Sequence, residues 1–187
     1  ERFENYALFC DSLKLKLETI DSYGLEENDL ISYKLLHFVL KETGVKYHYK
    51  THWNPILSDA GFHSNLTYRV RPISSKKSAL KYLNLLKAIP LYIDQQTTLI
   101  EKGLNTGMGQ PLIIFNGYSS TYKQHITKTP EENFYYSPFL KLPDQISKQE
   151  KDSLRLAAKK VINQSVIPSF KKVKTFFEET YFPKTRI

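Results

Sequence analysis

Phe3, Tyr6, Ala7, Cys10, Leu13, Leu17 and Ile20 recur at spacings of three and four, so one face of a 3.6-residue helix carries them all. Asp21-Ser22-Tyr23-Gly24 then supplies a turn. Leu30, Ile31, Leu35, Phe38 and Val39 predict a second helix, with Glu26, Glu27 and Asp29 at its positive end and Gly44 as its stop. From about 45 to 74 the helical period is lost. Val45–Tyr49 and Leu66–Val70 alternate weakly, which allows short strands or extended loops. So long an irregular segment in a compact domain is more often functional than idle.

The helical period returns at Ser75 with Leu80, Leu83, Leu86, Ile93, Thr97 and Ile100, and Gly103 is its expected end. Pro90 lies inside it. Proline removes a backbone donor and clashes one turn back, which predicts a kink or break near Ile89. Pro111 is placed to open a fourth helix running to about Ile126. Ser147 and Glu150 have capping-box spacing, and a fifth helix is expected from there to about Thr180, kinked at Pro168. The prediction is an all-α bundle of about five helices, two of them kinked, with one long irregular segment, all in a single domain over 1–187.

Composition narrows this further. The chain has 187 residues, 41% of them hydrophobic and 25% charged, a mix that excludes a disordered tail or a collagen-like repeat. Cys10 is the only cysteine, so neither an internal disulfide nor a thiolate metal site can form within the chain. No apolar run approaches the ~18 residues of a membrane span. Residue 1 is Glu and the only methionine is Met108, from which we expect either a start removed by processing or a piece of a larger protein.

Few patterns carry chemistry. His48 and His52 have the i, i+4 spacing of a helical zinc clamp, with His63 nearby, but Tyr49 stands where a metalloprotease motif needs glutamate. Ordinary loop histidines are the simpler reading. Gly103-Leu104-Asn105-Thr106-Gly107-Met108-Gly109 follows a helix rather than a strand and lacks the Lys-Ser/Thr of a phosphate loop, so a helix cap and turn is preferred. Gly117-Tyr118-Ser119-Ser120 lacks the second glycine of a nucleophile elbow. The net charge of +8 and the stripe Lys151, Arg155, Lys159 would suit a phosphate backbone, but no base-reading motif accompanies them, and a solvated helix face is the default.

One longer pattern stands out. Tyr82-Leu83-Asn84-Leu85-Leu86-Lys87-Ala88-Ile89-Pro90 leads into Leu91-Tyr92-Ile93-Asp94-Gln95-Gln96. It is followed in order by Gly103, Gly107 and Pro111, by Ser137-Pro138-Phe139, by Val166-Ile167-Pro168, and by Tyr181-Phe182-Pro183 with Arg186. Gly61-Phe62-His63 precedes it. This order resembles the N-terminal part of the bacterial domain-of-unknown-function-885 proteins. The chain departs from that pattern at Leu85 and Leu86, where an arginine is common, and has Ala60-Gly61 in place of a double glycine.

The resemblance implies a largely helical relative of gluzincin-type zinc peptidases, exported or lipid-anchored in the bacterial envelope. Its zinc-binding helix would lie downstream of this chain. This chain would then hold no cofactor and do no catalysis itself. It would wall a cleft completed by its own C-terminal region, and its partner beyond that would be a peptide substrate. Within this wall Trp53, His63 and Tyr68 would offer aromatic surface, and Arg69 and Arg71 would grip a peptide carboxylate, with ordinary loop packing the simpler reading for all five. The rival expectations are a non-catalytic helical peptide-binding or envelope scaffold module and, less well supported, a basic nucleic-acid binder.

Overall fold

The computed structural model describes residues 1–185. Arg186, the last residue of the pattern above, lies outside them. Among the described residues the chain is all-α. It has no strand, and its one extended pairing is an isolated antiparallel bridge between Ile56 and Gly61. Contacts divide it into two compact units, Glu1–Asn54 and Pro55–Ile187.

The first unit is a helical hairpin. Helix α1 spans Arg2–Leu17 and α2 spans Glu27–His48. Asp21 accepts a hydrogen bond from the Tyr23 backbone N–H and so caps the turn that joins them. The helix does not stop at Gly44, as its sequence suggests. A Cβ there would lie 3.0 Å from the Asp11 carboxylate of α1, so the glycine lets the two helices approach closely. The chain leaves α2 instead through Lys50, whose φ of 56° is left-handed. Val45–His48 is therefore helical, not extended. Ala7, Cys10 and Leu40 are buried, whereas Ile31, Leu35, Phe38 and Val39, which carry the apolar period of α2, are exposed.

The second unit is built around α3, Lys76–Asn105, which starts at a capping box formed by Ser75 and Ser78. It runs unbroken through Pro90, and Gly103 lies inside it. The end comes at Gly107, whose φ is 79°. The Met108 N–H bonds the Gly103 carbonyl and the Gly107 N–H bonds the Leu104 carbonyl, the paired pattern of a glycine-terminated helix. The predicted helix from Pro111 to Ile126 is instead a 3₁₀ turn, Leu112–Phe115, and a four-residue α4, Ser120–Lys123. Gly117, at φ 78°, breaks the run between them.

Ser147 and Glu150 cap α5, Lys148–Val161. A π-helical turn, Ile162–Val166, joins it to α6, Ile167–Thr175, which passes into a second π turn, Phe176–Tyr181. The single long element expected here is thus subdivided. Among the described residues there are six α-helices rather than five. Leu86, Ile93, Ala158, Ile162, Val166 and Phe170 are fully buried where α3, α5 and α6 meet.

Candidate functional site

The irregular segment after Pro55 turns back on itself at the Ile56–Gly61 bridge, and the Gly61 N–H bonds the Ser64 hydroxyl at 2.8 Å. Gly61 is required here by space. A Cβ would stand 2.6 Å from the Tyr118 hydroxyl. That close approach sends Phe62 and His63 into the core, where both are buried. His63 Nε2 lies 2.8 Å from Thr121 Oγ1. The rings of Phe62, Tyr118, Tyr122 and Phe177 surround it at centroid distances of 5.1–6.1 Å. Burial, with help from nearby His125, holds its imidazole down at about 3, so it is neutral in the folded protein at neutral pH.

Beyond His63 a 3₁₀ turn, Ser64–Arg69, leads back to the surface. Tyr68, Arg69 and Arg71 are exposed. Arg71 lines a groove of about 280 Å³ with Val70, Pro72, Ser137, Pro138, Leu140 and Lys141. Asn133 positions the far wall. Its side chain accepts from the Tyr135 N–H at 3.1 Å and donates to the His125 carbonyl at 2.9 Å, fixing the 3₁₀ turn Phe134–Phe139. Tyr82 anchors the same turn from α3 by donating to the Tyr135 carbonyl. Two cations, one hydroxyl and a floor of proline and aliphatic carbon therefore converge on one groove. Such a surface can hold a carboxylate beside an apolar side chain.

The charges of the second unit differ in kind. Lys76 pairs with Glu150, Lys151 with Asp144, Arg155 with Asp152 and Lys159 with Glu131. The stripe Lys151, Arg155, Lys159 is thus matched by acids, each pair worth little but lowering the local positive field. Arg69, Arg71 and Lys141 have no ion pair among the described residues. The Arg71 Nη1 donates only to the Val70 carbonyl, at 3.2 Å.

Of the five residues singled out from the sequence, Tyr68, Arg69 and Arg71 thus stand together on one stretch of surface, and Arg71 alone lines the groove. His63 faces rings and Thr121. Trp53 belongs to the other unit, in the 3₁₀ turn Thr51–Trp53, with the Lys50 ammonium 4.5 Å above its ring. Sequence reasoning missed Lys141 and assigned Ser137 and Pro138 no binding role. His48 and His52, for their part, go to local ring contacts, His48 edge-on to Tyr49. His52 lies between Phe3 and Tyr47 at 4.6 and 5.4 Å, on the wall of a groove of about 360 Å³ within the first unit.

The zinc that the resemblance implies finds no ligand set here. Among the described residues no three His, Cys, Asp or Glu side chains are grouped to hold a metal ion. His63 and His125 are buried among aromatic rings, without a carboxylate. No helix of the described residues is long and apolar enough to cross a membrane. A family model described as "Bacterial protein of unknown function (DUF885)" matches residues 3–186. No curated protein and no solved structure matches the chain.

Proposed function

The chain belongs to the DUF885 family of bacterial proteins, and from that premise we propose that it is the N-terminal, peptide-positioning wall of a zinc-peptidase-like protein. Metal and bond cleavage would come from polypeptide beyond this chain, in an exported or lipid-anchored envelope protein. The wall would hold the peptide by a carboxylate in the groove between Val70–Pro72 and Ser137–Lys141. The observation that carries this reading is the pair Arg71 and Lys141, exposed, without acidic partners and lining one apolar-floored groove. A guanidinium grips a carboxylate through two parallel hydrogen bonds, and the ammonium adds a point charge. Nothing in the groove performs chemistry, so no catalytic step is assigned to this chain.

Titration of the chain with a fluorescent peptide ending in Leu and a free carboxylate tests the reading. Binding should weaken at least about tenfold in Arg71→Ala, since a charged hydrogen bond is worth about 1.5–3 kcal/mol. Lys141→Ala should weaken it less. Equal affinity of wild type and both variants would refute the groove. Peptide hydrolysis should be absent from this chain and appear only with its downstream polypeptide and metal. A longer protein that binds peptide yet takes up no metal and cuts nothing would instead establish a non-catalytic scaffold. The aromatic groove of the first unit favours that second reading, because stacked Phe3, His52 and Tyr47, with Lys46 on the same lining, offer a ring-binding surface.

A further inference from the structure

We infer that α2 is a self-association surface, on which a second copy of this chain docks antiparallel about a two-fold axis at Phe38. The inference is independent of the groove and of any peptide. Ile31, Phe38 and Val45 follow one another at intervals of seven, and all are exposed, as is Leu35 between them. At 100° per residue these four fall on one stripe of the helix, well away from the face that carries buried Leu40. The side of α2 that packs on α1 is thus a different one, and the stripe is left to solvent.

The occupant follows from the charges beside the stripe. Lys34 and Glu42 border Phe38 four residues before and four after it, and neither has an ion pair among the described residues. Antiparallel pairing about Phe38 sets Ile31 against Val45 of the other copy. It also sets Lys34 against Glu42 of the other copy, and the two-fold repeats that match. Parallel pairing would set Lys34 against Lys34 and Glu42 against Glu42. The acids of the first turn, Glu27 and Asp29, would likewise come to the basic end of the partner helix, near Lys46 and Lys50. Charge therefore selects one direction and one register, as buried and flanking charges do in paired helices.

The stripe from Ile31 to Val45 is about 21 Å long at 1.5 Å per residue. One helix face of that length is at the small end of stable interfaces, so the dimer should dissociate on dilution. The test is sedimentation equilibrium of the full chain over a concentration series, with circular dichroism to show that each variant is folded. The wild type should pass from one chain, 21.8 kDa, toward twice that mass as concentration rises. Lys34→Glu should weaken association about tenfold or more by facing Glu42 with a like charge, and K34E/E42K should restore it. Phe38→Cys should give a disulfide-linked dimer on mild oxidation, because the only other cysteine, Cys10, is buried. A single-chain mass at every concentration up to about 1 mM would overturn the proposal. So would a dimer indifferent to K34E, or an F38C that stays unlinked while the wild type dimerises.

Discussion

The two halves of this chain solve the problem of burial differently. In the first, Ala7, Cys10 and Leu40 are the buried apolar residues, while Phe9, Leu15, Ile31, Leu35 and Phe38 stay open. In the second, a continuous core runs from Ile56 through α3, α5 and α6 to Tyr181, with Tyr118, Tyr122, Phe170 and Phe177 sealed inside. A hairpin of two helices has too little interior to hide both of its apolar stripes. The second unit has enough chain to enclose its aromatics and to hold a groove on a rigid frame. The sealed core and the groove that lies on it therefore belong to one half, and unspent apolar surface to the other.

The largest effect that could break this contrast is a cavity in the aromatic core. Phe177→Ala removes a fully buried ring that touches Phe62, His63, Tyr118 and Tyr122, and should cost about 3–5 kcal/mol in denaturant unfolding. Phe38→Ala, at an exposed site, should shift the same transition by less than about 0.5 kcal/mol in dilute solution. Equal costs at the two positions would contradict the division drawn here. Next comes Gly61→Ala, which drives a methyl toward the Tyr118 hydroxyl and should cost about 1–3 kcal/mol by calorimetry.

Acidification sharpens the contrast, because both buried histidines lie in the second half. Burial holds His63 at about 3 and His125 at about 4, against about 6.5 in an unfolded chain. Between those values the unfolded state binds more protons. The stabilisation is complete above about pH 6.5 and is lost as pH falls toward the folded values, by up to about 1.4 kcal/mol per pH unit for each imidazole. Chemical denaturation at pH 7 and pH 5 should show the loss in wild type and a smaller one in His125→Phe. A flat profile would contradict it. The smallest effect is at a cap. Ser147→Ala should cost about 1 kcal/mol by removing the acceptor for the Glu150 N–H.

Some of this organisation was legible in the sequence. The start of α3 could be read from the return of the apolar period at Ser75, and that of α5 because Ser147 satisfies backbone donors locally. Gly44 misled because its role is contact with Asp11 across the hairpin, which no local pattern reveals. Pro111 misled because Gly117 interrupts the helical period six residues later. The exposed stripe on α2 has the same 3.6 period as a buried one, so periodicity marked the face without showing what it meets. At the site, Gly61-Phe62-His63 could be read as part of the family pattern, but not that Gly61 sends both rings into the aromatic core. Arg71 could be named from its chemistry, but Lys141 lies far along the chain and reaches the groove only through the turn that Tyr82 and Asn133 hold.

The claim that this half of the molecule binds peptides by a carboxylate is tested most directly by calorimetric titration of the chain with two peptides of one sequence. One ends in a free carboxylate and the other in an amide. The free acid should bind and the amide should not, with the difference shrinking as salt screens Arg71 and Lys141. Equal affinities, or no heat from either peptide, would contradict the account.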